Sequence, residues 1–188
     1  EQTGHVGSRL GRGRWFEPSS AHPHLSQPAG PAAGPRDRHY VGMSFADPRV
    51  RRATPEDAAD VARLLYAFNT EFDEPTPPVD VLAERAARMM EAEEIYVLLG
   101  GDGPDGIALM MIHPQIWTGE PDAYLQELYV APPRRGEGLG RALLEATMDL
   151  ARELGATHID LGTSEGDKEA MALYESAGFT NREGGPDG

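Results

Sequence analysis

The chain has 188 residues, a net charge of -14 at pH 7 and a pI of about 4.7, which is length enough for one domain with a full core. So acidic a surface argues against a general nucleic-acid or anionic-membrane face. The lack of cysteine excludes disulfides, thiolate zinc sites and a cysteine nucleophile. No apolar run approaches the ~20 residues of a membrane helix, and no signal-peptide pattern is visible. The expected setting is therefore cytoplasmic, with neither membrane nor nucleic acid as a partner and no metal.

Residues 1–42 are rich in Gly, Pro, Ser and His and have almost no apolar periodicity. They are expected to be a disordered or non-native N-terminal extension ahead of a domain at 43–188. Five arginines against Glu1, Glu17 and Asp37 make the stretch mildly basic. Those arginines are interleaved with proline rather than with stacking aromatics, which disfavours a nucleic-acid arm.

A short strand is expected at 50–53. Thr54, Pro55, Glu56 and Asp57 then read as a helix start, with a Thr cap, Pro at the first position and acids in the first turn. Val61, Leu64, Leu65 and Phe68 mark its buried face. A loop at 69–78 carries Glu71, Asp73 and Glu74. A second helix at 79–92 turns Leu82, Ala86, Met89 and Met90 inward. Strands at 94–99 and 107–112 flank the turn at Gly100 to Gly106 and form a hairpin. A loop with Trp117 follows, then a fourth strand at 124–130. Its alternation would group Leu125, Glu127 and Tyr129 on one side and Gln126, Leu128 and Val130 on the other, unless a bulge intervenes.

The centre of the chain is Arg134-Arg135-Gly136-Glu137-Gly138-Leu139-Gly140-Arg141. It lies between that strand and a helix at 142–154, whose Leu143, Ala146, Leu150 and Leu154 share a face with Leu139. Glycines let a ligand approach the backbone, and the unpaired amides of the first helical turn suit phosphate. Arg135 or Arg141 can add a charged contact. The run is neither a Walker loop nor a dinucleotide fingerprint. A fifth strand at 158–161, a helix at 167–176 and a strand at 179–183 complete the order, with no final strand visible after them.

Arg135-x-x-Gly138-x-Gly140 resembles the pyrophosphate loop of the GCN5-related N-acetyltransferase (GNAT) superfamily. Asp167-x-x-Ala170-x-x-Leu173-Tyr174-Glu175-x-x-Gly178-Phe179 is similar to a second segment of that superfamily, in which Asn is usual where Asp167 stands. The resemblance covers about residues 49–183. It implies an α+β fold: a mixed, mostly antiparallel twisted sheet with helices on both faces, splayed fourth and fifth strands and, in this chain, an apparently missing final strand.

The same resemblance implies an acyltransferase that moves acetyl from acetyl-CoA to a primary amine by direct attack in a ternary complex. Gly136, Glu137, Gly138, Leu139, Gly140 and Arg141, with Arg135, would grip the pyrophosphate. Leu128, Tyr129 and Val130 would pair with the pantetheine arm, and Asp167 and Ala170 would lie at the cofactor, although Asp167 could equally cap the last helix. Tyr174 holds the position of a general acid, with an ordering role towards CoA as the alternative, and Glu127 that of a base, with a solvated strand carboxylate as the alternative. Glu71, Asp73, Glu74 and Trp117 would wall an acceptor site for a small cationic amine, or be only a solvated acidic surface. Residues 67–73, with Gly166 and Asp167, bear partial similarity to aminoglycoside 3-N-acetyltransferases. A peptide or protein N-acetyltransferase, a non-catalytic acyl-CoA-binding module and a homodimer stay open.

Overall fold

The computed structural model describes residues 14–18, 44–163 and 167–180, the first of these through their backbone. In chain order the elements are β1 (Arg14–Pro18), β2 (Val50–Arg52), α1 (Ala58–Glu71), α2 (Val79–Glu91), β3 (Tyr96–Gly100), β4 (Gly106–Pro114), β5 (Pro121–Val130), α3 (Leu139–Glu153), β6 (Ile159–Thr163), α4 (Lys168–Ser176) and β7 (Phe179–Thr180). One sheet runs in the order β2-β3-β4-β5-β6-β1-β7. All its pairs are antiparallel except β5 with β6. This is the mixed sheet with helices on both faces that the sequence implies.

The two faces carry separate cores. Val61 and Leu64 of α1 and Ala86 and Met90 of α2 pack with Val97, Leu99, Ile107, Leu109 and Tyr129. On the other face Leu139, Leu143, Leu144 and Leu150 of α3 and Tyr174 of α4 pack with Leu98, Ala108, Met110 and Leu125. β3 and β4 are covered on both sides, which explains their continuous apolar runs. α3 comes so close to the β3–β4 hairpin that a Cβ on Gly106 would stand 2.8 Å from a methyl of Leu143, and one on Gly100 2.9 Å from a methyl of Leu139. Glycine there is a packing requirement of the helix above.

Two features bear on what the sequence left open. Residues 14–18, within the stretch expected to lack order, form β1. It pairs antiparallel with β6 through Arg14↔Thr163, Trp15↔Gly162 and Phe16↔Leu161, and with β7 through Glu17↔Thr180 and Pro18↔Phe179. Composition averaged over a Gly- and Pro-rich stretch hides a short run with two aromatics of high strand propensity. The second is the bulge in β5 that the sequence reading allowed for. Leu109 pairs with Glu127 but Met110 with Leu125, so a bulge sits at Gln126. The extra residue reverses the alternation. Leu125 joins the α3 core, while Tyr129 belongs to the α1–α2 core with Leu109 and Ile107. Residues 181–188, where a final strand would be sought, lie outside the described residues.

Candidate active site

β5 pairs with β6 only through Ala123, Leu125 and the Tyr124 between them, yet it continues to Val130. Its stretch from Gln126 onward has left β6 and, among the described residues, pairs with β4 alone, the splay that the family resemblance implies. The pairing of Met111, Leu109 and Ile107 with Tyr124, Glu127 and Tyr129 sets these three polar-tipped residues in a row on one face. Tyr124 was not singled out from sequence. The bulge alone brings it into line with Glu127, and no composition or spacing signal reveals a bulge.

Burial pushes the Glu127 carboxyl up to about 7. The Tyr174 phenol is raised above its ordinary range, mostly by burial and then by the charges of Asp167 and Glu127. Tyr124 is raised by burial and then by the charges of Glu127 and Asp160. The charge of Glu127 thus reaches the Tyr174 phenol, while the shift of Glu127 itself comes from burial. Tyr174 also meets the Phe179 ring edge-on, at 6.0 Å between centroids. The chemistry available here is thus a carboxyl that titrates near neutrality and a buried phenol that stays protonated.

Beyond Val130, a single 3-10 turn at Pro132–Arg134 leads to the glycine loop. Gly136 and Gly138 take φ of 79° and 78°, in the left-handed region where a side chain is disfavoured. Gly138 caps α3 without a side-chain bond, so the first-turn amides have no acceptor from the helix. A Cβ on Gly136 would meet nothing within 4 Å. The loop is anchored from outside: Arg49, paired with Asp47 at 2.7 Å, donates from Nη1 to the Glu137 carbonyl at 3.1 Å. Arg134 binds Asp105 and Glu137.

Arg135 and Arg141 are both engaged. Arg141 donates to Ser176 Oγ at 2.7 Å, tying α3 to α4. Arg135 Nε donates to the Val130 carbonyl at 2.9 Å, and its two terminal nitrogens reach the two oxygens of Glu71, each at 2.8 Å. Its guanidinium also stands 5.7 Å from the Tyr129 ring centroid. Glu71, the last residue of α1, thus joins the glycine loop. Its carboxyl is held below the usual range, chiefly by Arg135, with the Tyr129 hydroxyl as a further donor. Asp73, at φ 54°, and Glu74 are exposed beyond the helix. Trp117 is 90% exposed at the tip of the β4–β5 hairpin, and no described contact joins it to those carboxylates. Asp167 Oδ1 accepts from the Ala170 amide at 3.0 Å, so it caps α4. No metal-binding cluster occurs among the described residues, and no helix among them is long and apolar enough to cross a membrane.

This fold and its glycine loop define an acyl-group transferase scaffold, and sequence comparison gives the family. The profile of the Acetyltransferase (GNAT) family matches residues 60–179, and the chain belongs to that family of N-acetyltransferases. It is 30% identical over 146 residues to an aminoglycoside N(6')-acetyltransferase type 1 of Stenotrophomonas maltophilia, covering 75% of this chain and 92% of that protein. A thialysine N-epsilon-acetyltransferase of Caenorhabditis elegans is 25% identical, covering 68% and 80%. A solved structure from Arthrobacter sp. FB24, called an acetyltransferase with no acceptor named, is 44% identical at a TM-score of 0.69, covering 78% of this chain and 92% of that one. The aminoglycoside relative is named for the 6' amine, where the sequence resemblance had pointed to 3-N enzymes.

Proposed function

We propose that this protein transfers the acetyl group of acetyl-CoA to a primary amine on a small cationic molecule. The reading rests on one arrangement: Glu127 lies on the β5 segment that has parted from β6, where its charge reaches the Tyr174 phenol, and the open amino end of α3 follows that segment in the chain. A phosphate-bearing donor fits the loop, because Gly136 leaves its approach open and the first-turn amides of α3 have no acceptor within the helix. When bound, acetyl-CoA supplies an activated thioester.

The residues then divide the work. Glu127, titrating near 7, takes the proton that an ammonium must lose before its nitrogen can attack. Backbone groups of Leu128 to Val130 hold the pantetheine arm as an added strand would, and an amide there polarises the carbonyl. Tyr174 gives its proton to the departing sulfur. A nitrogen–acyl bond forms, the carbon–sulfur bond breaks, the free thiol leaves, and the second proton shed by the acylated nitrogen restores the Tyr174 phenol. The names of two relatives, for aminoglycoside and thialysine acetylation, and the net charge of -14 favour a small cationic acceptor.

The test is thermal shift with acetyl-CoA, followed by thiol release against an aminoglycoside, a thialysine-like amino acid and a peptide with a free N-terminus. Ligand at a hundred times its dissociation constant adds ~2.7 kcal/mol to stability. Thiol release with either cationic small molecule is expected. Release with the peptide alone would redirect the reading to protein N-termini. A shift without release from any amine would leave a non-catalytic binding module.

A further inference from the structure

Glu71 and Arg135 came out of the sequence in opposite roles, one for a cationic amine and the other for the pyrophosphate. They are bonded to each other. We infer that Glu71 is an internal counter-anion that competes with the cofactor's phosphates for Arg135, and so sets how tightly the cofactor binds. The inference rests on the acetyl-CoA reading above.

Three observations carry it. First, the pair is two-pronged, with both Glu71 oxygens at 2.8 Å from the terminal nitrogens of Arg135. This is the geometry by which guanidinium also takes phosphate. Second, Arg135 is held independently of Glu71, by the bond from Nε to the Val130 carbonyl and by the Tyr129 ring. Removing the carboxylate therefore leaves the guanidinium in place and changes its charge balance. Third, Glu71 is held independently of Arg135. It ends α1, whose last turn is held by Phe68 against Tyr129 at 5.4 Å, and its carboxyl has the Tyr129 hydroxyl as a second donor. Neither partner needs the other for position, so the chief effect of their contact is electrostatic. A phosphate approaching Arg135 meets a guanidinium already neutralised, with a carboxylate alongside that repels it. The resulting coupling joins α1, on one face of the sheet, to the loop that opens α3 on the other.

The experiment is calorimetric titration with CoA, and no amine, of wild type, Glu71→Gln, Arg135→Gln and the double variant. Glu71→Gln keeps the shape and removes the charge, and should bind CoA roughly three- to tenfold more tightly, with the gain shrinking in 0.5 M salt. Arg135→Gln should bind more weakly, and adding Glu71→Gln to it should recover far less than it gives alone, since the competition has gone. Equal or weaker CoA binding by Glu71→Gln would overturn the inference and make Glu71 a support for Arg135. Should Glu71→Gln fail to fold, Glu71→Met, a good helix former of similar reach, carries the same test. Failure of wild type to bind CoA at all would instead count against the acetyl-CoA reading.

Discussion

Glu127 faces Leu109 across the β4–β5 ladder while the next rung joins Met110 to Leu125, so Gln126 has no rung of its own. That one displaced residue brings Glu127 into a row with Tyr124 and Tyr129 and places it where β5 has separated from β6. A regular strand would have put Leu125 on the face of Glu127. Bulges beside active sites commonly re-aim a side chain in this way.

The first prediction concerns Glu127 and pH. Its folded pKa is about 7, raised by burial from an ordinary 4.5. The group binds more protons folded than unfolded between those values, so its contribution to stability is fully present below about pH 4.5 and is lost as pH rises through 7. Glu127→Gln should therefore gain on wild type by about 1–3 kcal/mol between pH 4.5 and 8, measurable by urea unfolding at the two pH values. Wild-type kcat/KM should climb through pH 7 as the base loses its proton. The deficit of Glu127→Gln should narrow at high pH, where more of the amine is already neutral.

The second concerns Tyr174. Tyr174→Phe removes one hydroxyl and almost no volume, so CoA binding and folding should survive. Turnover should drop by ~10²–10⁴, the usual worth of a positioned acid, and the loss should sit in kcat rather than KM. High pH should not rescue it. Near-normal kcat with weakened CoA binding would make the phenol a cofactor contact.

Much of this was legible in sequence. The helix start at Thr54 and Pro55, the apolar stripe of α3 and the glycine loop follow from caps, periodicity and turn chemistry. The bulge at Gln126, the pairing of Glu71 with Arg135 and the capping by Asp167 did not stand out in the same way. The first two depend on which residues meet across the sheet, and no local pattern encodes that. The third was one of two readings that a lone Asp before a helix allows.

The third prediction tests the close approach of α3. Gly106→Ala would place a Cβ 2.8 Å from Leu143 Cδ1 and 3.3 Å from the Tyr129 carbonyl. Overpacking of this kind costs about 1–3 kcal/mol. The melting temperature should fall by roughly 2–4 °C for each kcal/mol in a protein of this size. An unchanged melting temperature would mean that α3 shifts freely over the hairpin.

The fourth concerns β1. Phe16→Pro deletes a backbone donor from a strand with neighbours on both sides, where proline is scarcely tolerated. It should lower the melting temperature by roughly 5 °C or more, and a chain beginning at Met43 should show a comparable loss. If both variants melt as wild type does, the stretch before the domain is dispensable.

The place of β1 in the sheet bears on how the protein is made. Its partners, β6 and β7, are the last strands of the described chain, while β1 is the first. During synthesis Trp15 and Phe16 leave the ribosome before β6 and β7, and they wait until the described elements between have been translated. The contacts between β1 and β6 are thus among the most distant in sequence that the fold contains, and closing them comes at the end of assembly. Until then the adjacent edges of β6 and β7 have no partner, and a nascent neighbour on the same message could supply its own segment to them. Yield of well-assembled protein should therefore depend on the rate of translation and the crowding of ribosomes, even when the finished molecule is stable.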